Sequence, residues 1–404
     1  MKIRSITLFA KLEVPVNMRH IEQLGEAARI AAETFTSEGY EVQTVRLATS
    51  LFPALLRYGG RTEAVALIGD LESSCQSAGF EYLSLGSAWP GTRGWLPDIL
   101  KATNGVFATT HIVEPGSGNI DGASIRECAA IIRRAAEIED GFGNLRFAAL
   151  ANVKPGTPFF PAAYWLGDEP AFAIATQSAD LALSACRGAR DAAHACKRFS
   201  ALVQSHAGNI QRIGEAVGQA QGLRFGGIDF SPAPFPDPDV SIGAALETLA
   251  GGMLGDAGTL AAAAALTHAV QSVAFAQTGF CGLMMPVLED NILAQRAAEG
   301  RLHIHDLLVW SAVCGTGLDT VPLPGDVSEE ALSALLFDVA ALSVRLNKPL
   351  TARLMPLPGK KAGDPVHFDF PYFADGGVLD LSATSASGKL VDTQLLPLEA
   401  YNHA

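Results

Sequence analysis

The chain has 404 residues, of which 49% are apolar and 18% charged, with a formal net charge of −13. That composition excludes a disordered chain and can fill a large core. The acidic balance, with Lys and Arg scattered, argues against a nucleic-acid partner, which would require a clustered basic face.

The first strand is expected at 3–9 (IRSITLF), because Glu13 and Pro15 interrupt the apolar start too early for a secretory leader. An amphipathic helix follows over 19–38, ended by Gly39, with Ile21, Leu24, Ala28 and Ala31 on its core face. The pattern then alternates. Strands are predicted at 41–48, 80–86, 105–112, 145–151 and 171–176, and helices near 62–78, 95–103 and 121–139. A long helix over 193–221 leads into the apolar run 225–230. Further strands are expected at 281–287, 317–322 and 350–356, with helices at 241–251, 258–277, 289–299, 303–313 and 328–345. Strands separated by helices favour parallel pairing, so the expected fold class is α/β, a parallel barrel or a large open sheet covered by helices.

The segment 251–279 is the most apolar, but it is Ala-rich and carries Asp256 and His268. It reads as a packed helix of a soluble protein without a membrane partner. Six cysteines with no C-x-x-C pair fit a reducing cytoplasm. Residues 1–380 read as a single domain and 381–404 as a flexible tail.

Most chemical signatures are missing: there is no G-x-G-x-x-G, no phosphate-cradling G-x-x-x-x-G-K-[ST] and no G-x-S-x-G, hence no nucleotide cofactor motif. In RLHIHDLLVW, His303, His305 and Asp306 crowd together, but i and i+2 diverge on a helix, which favours a capping role. EPGSGNIDGAS at 114–124 could seat an anion at a helix start or form a plain turn capped by Asp121 or Ser124.

The strongest signal is a trio of segments joining an apolar run to Gly or Pro and an acid: FGGIDFSPAP, FCGLMMPVLED and VCGTGLDTVPLP. Loops at strand ends of α/β folds hold functional groups. Asp229 and Asp319 are therefore candidate acid/base groups, and Asp229, Glu289 and Asp290 are candidate ligands of a divalent metal. Each has a structural alternative: Asp229 as acceptor for loop amides, Glu289 and Asp290 as partners of a helix dipole, and Asp319 as a buried hydrogen-bond hub. Cys281 is a candidate nucleophile, although buried thiols are commonly inert. His111 at a strand end is a candidate base. Asn152, Lys154, Tyr164 and Ser231 are candidate contacts to a small polar ligand.

The run KRFSALVQSHAGNIQRIGEAVGQAQGLRFGGIDFSPAP, with GFCGLMMPVLED and VCGTGLDTVPLPGD, resembles the prokaryotic family called domain of unknown function 711, often labelled pyruvate formate-lyase-like. The likeness covers most of 80–370, and the chain reads as a divergent, shorter member, with VFATTHIVEPGSGNIDGAS where members tend to have a Ser-rich segment. The resemblance implies a ten-stranded α/β barrel like that of the glycyl-radical enzymes. It also aligns Cys281 loosely with their central cysteine. Nothing in DFPYFADGGVLDL matches a radical glycine, so radical chemistry is not implied.

The expectation is an enzyme acting on a small polar or acidic metabolite by acid/base chemistry, with or without a divalent metal. The alternative is a non-catalytic small-molecule-binding or assembly protein, since the Ala/Gly-rich helices suit packing in a homo-oligomer.

Overall fold

In the computed structural model, which describes residues 1–381 and 388–401, the sheet strands are β1 (Lys2–Phe9), β2 (Val45–Ala48), β3 (Tyr82–Ser87), β4 (Val106–His111), β5 (Phe147–Ala151), β6 (Ala171–Gln177), β7 (Arg224–Ala233), β8 (Gly317–Pro324) and β9 (Leu350–Leu357). They form one nine-stranded sheet in the order β7-β6-β1-β2-β3-β4-β5-β9-β8. Strands β1 to β5 run parallel. They are flanked on each side by a pair pointing the other way, β6 with β7 and β9 with β8. Helical crossovers account for the parallel centre, since parallel neighbours need long connections.

Alternation along each strand divides the sheet into two faces. Leu8, Leu47, Leu83, Ala108 and Ala149 belong to the main core, together with helices such as Met18–Ser37, Gly122–Ala135 and Ala192–Gln221. Phe9, Ala48, Phe107 and Ala148 point the opposite way, onto residues 159–165 and Phe280 to Met284. Hydroxyls fasten the first of these segments: Thr7 Oγ1 donates to the carbonyl of Pro158 at 2.7 Å and Ser84 Oγ to that of Ala163 at 2.6 Å. Small polar residues inside apolar strands thus mark the second face.

The strand expected at 281–287 is absent; the residues form an irregular segment that touches both edges of the sheet. Isolated bridges pair Gln277 with Ile228 of β7 and Pro286 with Asp319 of β8. Pro286, which has no amide hydrogen, and Cys281, with a φ of 42°, each interrupt regular pairing here. The sheet therefore has nine strands, and no continuous ladder joins β7 to β8.

Within 381–404, the stretch expected as a flexible tail, the described residues make contacts with the domain. Leu395–Leu396 pairs antiparallel with Ile120–Asp121, Arg126 donates to the carbonyls of Val391 and Thr393, and Arg345 lies over the ring of Tyr401. Residues 382–387 and 402–404 of that expectation lie outside the described residues. Among the described residues, no helix is long and apolar enough to cross a membrane.

Candidate functional site

The three segments with Gly or Pro beside an acid converge. Asp229, fully buried on β7, accepts hydrogen bonds from the amides of Phe280 (2.8 Å), Cys281 (3.0 Å) and Ser231 (3.2 Å), and from Ser231 Oγ (2.6 Å). A Cβ on Gly279 would fall 2.1 Å from its Oδ2, so glycine is required for the approach. Three residues on, the backbones of Gly282 and Gly315 press together, and a Cβ on Gly282 would sit 2.5 Å from Gly315 Cα. Beyond this contact, the amide of Val287 donates to the carbonyl of Asp319 at 3.0 Å.

Asp319 occupies a β-bulge. Between Leu318 and Val321, β8 carries one more residue than β9 does between Ala352 and Leu354, and Thr320 takes a φ of 42°. Bulges re-aim side chains. The carboxylate here meets Arg353 Nε at 2.6 Å, while Arg353 Nη2 reaches Glu289 Oε1 at 2.7 Å. Glu289 Oε2 in turn accepts from Arg4 Nη2 at 2.6 Å. Arg4 lies at a second bulge, between Ile3 and Ser5 of β1, which turns it and Ser5 to the same face. The chain Asp319–Arg353–Glu289–Arg4 thus spans from the β8 edge to the middle of the sheet.

This chain forms one wall of a cavity of about 90 Å³, whose other walls include Arg46, Tyr82, Phe107, Phe160, Phe280, Thr316 and Tyr372. Burial raises the pKa of Asp319 above the usual carboxylate range; Arg353 opposes the shift and the charge of Glu289 adds to it. Arg46 lies between the rings of Phe160 and Tyr82, with its centre 5.3 Å and 5.5 Å from them, and its Nε donates to Thr44 Oγ1 at 2.9 Å. Burial, and then the charge of Arg4, push the Arg46 pKa down to about 10.

Of the residues singled out in the sequence, Asp319 and Glu289 line this cavity. Asp229 and Ser231 serve the loop clamp. Asp290 caps two helices, accepting from the amides of Ile292 (2.9 Å) and Leu293 (3.1 Å) and, across the fold, from Ile242 (2.7 Å) and Gly243 (3.2 Å). Asp229, Glu289 and Asp290 therefore do not share an ion, and no group of His, Cys, Asp and Glu suited to a metal occurs among the described residues. Cys281 donates its thiol to the carbonyls of Ile228 and Thr278, both at 3.4 Å, and burial and then Asp229 raise its pKa. The ring of His111 meets Tyr164 edge-on, and burial pulls its pKa down to about 4. Tyr164 donates to the carbonyl of Val153 at 2.8 Å, Asn152 donates to Ser343 Oγ at 3.0 Å and Lys154 is exposed. None of these lines the cavity. His303 and Asp306 form a capping box.

Sequence reasoning missed the arginines. Their signal was a guanidinium inside an otherwise apolar strand, KIRSITLF, VRLA and LTARLMPL, where a charge is costly unless something on that face needs it.

The family model described as Uncharacterised ACR (DUF711) matches residues 1–374. The chain belongs to this family. A UPF0210 protein of Pyrobaculum arsenaticum is 32% identical over 365 residues, covering 85% of this chain and 80% of the relative. One from Acetivibrio thermocellus is 33% identical over 287 residues, with 68% and 63% covered, and one from Methanopyrus kandleri 28% identical over 376 residues, with 86% and 82% covered. As a member of DUF711, the chain carries its cavity and its loop clamp entirely within the matched region.

Proposed function

We propose that this protein is an enzyme that moves a proton to or from a small polar metabolite bound in the cavity, with Asp319 as the proton carrier. One observation carries the reading: a carboxyl of raised pKa stands at a bulge and lines a mostly apolar cavity. A carboxyl whose pKa is raised by burial takes up a proton more readily than an ordinary acid, which suits it to acid/base catalysis. Arg353 holds the ionised form in place and Glu289 keeps it from being too stable. In this reading Arg4 is a positioning residue, acting through Glu289.

Solvent-deuterium incorporation tests it. Small acids, amides, alcohols and aldehydes would be incubated with the protein in D2O and followed by NMR. Asp319→Asn should slow incorporation by 100-fold or more, the range of a general acid or base. Equal incorporation by the variant would overturn the assignment.

A second reading, a binding protein without turnover, is favoured by the 2.6 Å bond that occupies Asp319. A ligand that stabilises the protein and never exchanges would support it. The segment 276–287, bridged to both edges, further supports reading the sheet as an interrupted form of a glycyl-radical-type barrel.

A further inference from the structure

The cavity walls carry Arg4, Arg46 and Arg353 against Glu289 and Asp319, which leaves one more cation than anions. The surplus can be traced to one residue. Arg4 and Arg353 share the two carboxylates, whereas Arg46 makes no ion pair among the described residues. Its Nε is used by Thr44, and its terminal nitrogens donate no hydrogen bond there. At 8% exposure, such a guanidinium has lost most of its water and gained only the faces of two rings in exchange. A second observation points to the same space. Thr316, 2% exposed, also lines the cavity, and its hydroxyl oxygen is buried without a hydrogen-bond partner. Buried polar atoms are normally satisfied, so unsatisfied ones around an open space suggest a ligand that completes them.

The ligand's chemistry follows from these groups. A guanidinium fork matches a planar oxyanion in two parallel hydrogen bonds. A single uncompensated positive charge balances a monoanion, while a phosphate dianion would leave excess negative charge among aromatic walls. Phe107, Phe160 and Phe280 suit a short carbon chain. At about 90 Å³ the cavity is small beside the roughly 300–1,000 Å³ of pockets for drug-sized molecules, which favours a small ligand.

We propose that the cavity binds a small monocarboxylate whose carboxylate is held by Arg46, with the hydroxyl of Thr316 as a further donor. The inference rests on the reading of this cavity as the active site and adds the class of substrate. Bound this way, the anion also relieves the repulsion between Arg46 and Arg4.

Calorimetric titration of the full chain at neutral pH with acetate, propionate and lactate, and with propionamide and inorganic phosphate, tests it. At least one carboxylate should bind tenfold or more tighter than propionamide and phosphate. Arg46→Lys keeps the charge but loses the fork, and should weaken that carboxylate at least tenfold; Arg46→Met should abolish its binding. If Arg46→Met does not fold, the lysine variant and the carboxylate-over-amide preference still decide. No binding by any of the carboxylates, equal binding of propionamide, a preference for phosphate or an unaffected Arg46→Lys would each overturn the proposal. Asp319→Asn separates it from the proton-transfer reading. Asp319-dependent incorporation into neutral compounds alone removes the carboxylate proposal and leaves Asp319 its role. Carboxylate binding with undiminished incorporation in Asp319→Asn does the reverse.

Discussion

Asp229 and Asp319 are two carboxylates on the two edge strands of one sheet, each beside a glycine-rich turn and each tied to the same irregular segment. They differ in what surrounds their oxygens. Asp229 is enclosed by neutral donors, amides and a hydroxyl, and does not line the cavity described above. Asp319 is held by a guanidinium, and its side chain keeps 15% of its surface open beside the cavity. An acid surrounded by backbone amides organises the chain. An acid paired with a guanidinium beside a cavity keeps part of its surface free of the fold. The pair teaches that similar sequence punctuation can yield a fastening at one edge and a cavity-lining acid paired with arginine at the other.

The sharpest way to break this comparison is to remove Asp229. Asp229→Ala strands the buried amides of Phe280 and Cys281 and should cost about 3–5 kcal/mol of stability, read by denaturant unfolding. If stability is unchanged, the clamp is not structural. Next in size, Asp319→Asn should reduce deuterium incorporation about 100-fold while leaving Arg353 paired with Glu289, so unfolding should shift by no more than about 1–2 kcal/mol. A larger loss of stability would make the two acids alike.

A smaller effect should appear in pH dependence. Burial pushes Asp229 up to about 6 from an ordinary 3.8, with its hydrogen bonds opposing. Because the folded pKa is the higher one, the group's contribution is fully present below pH 3.8 and is lost as pH rises through 6. Over that window wild-type stability should fall by roughly 2–3 kcal/mol relative to Asp229→Asn, which has no such titration. A constant difference between the two proteins would refute the raised pKa. The smallest effect concerns Cys281: its thiol, raised by burial and Asp229, should react with iodoacetamide at neutral pH far more slowly in the native protein than in the unfolded one. Rapid native labelling would place a reactive group within the clamp itself.

Much of this fold is legible in the residues. The helix expected at 193–221 is Ala192–Gln221, and the strand expected at 350–356 is Leu350–Leu357, because apolar periodicity follows burial directly. The segment 281–287 misleads because a short apolar run looks the same whether or not a ladder satisfies its amides; here Asp229 and Ser231 side chains accept from Cys281 and Gly282, and the carbonyl of Asp319 from Val287. In the site, Glu289 and Asp319 are visible as acids near glycine and proline. Arg4, Arg46 and Arg353 are not, since they lie far apart in the chain and meet only through strand order and bulges. Spacing along a sequence carries no record of which strands become neighbours.

The contact between Gly282 and Gly315 has a consequence for how this chain can vary. Each glycine faces the other's backbone, so a side chain at either position collides with main chain, and no change in a third side chain can make room for it. Drift at these two sites is thereby blocked one substitution at a time. The frame that spaces the two sheet edges is held to one width, whatever lines the cavity beside it.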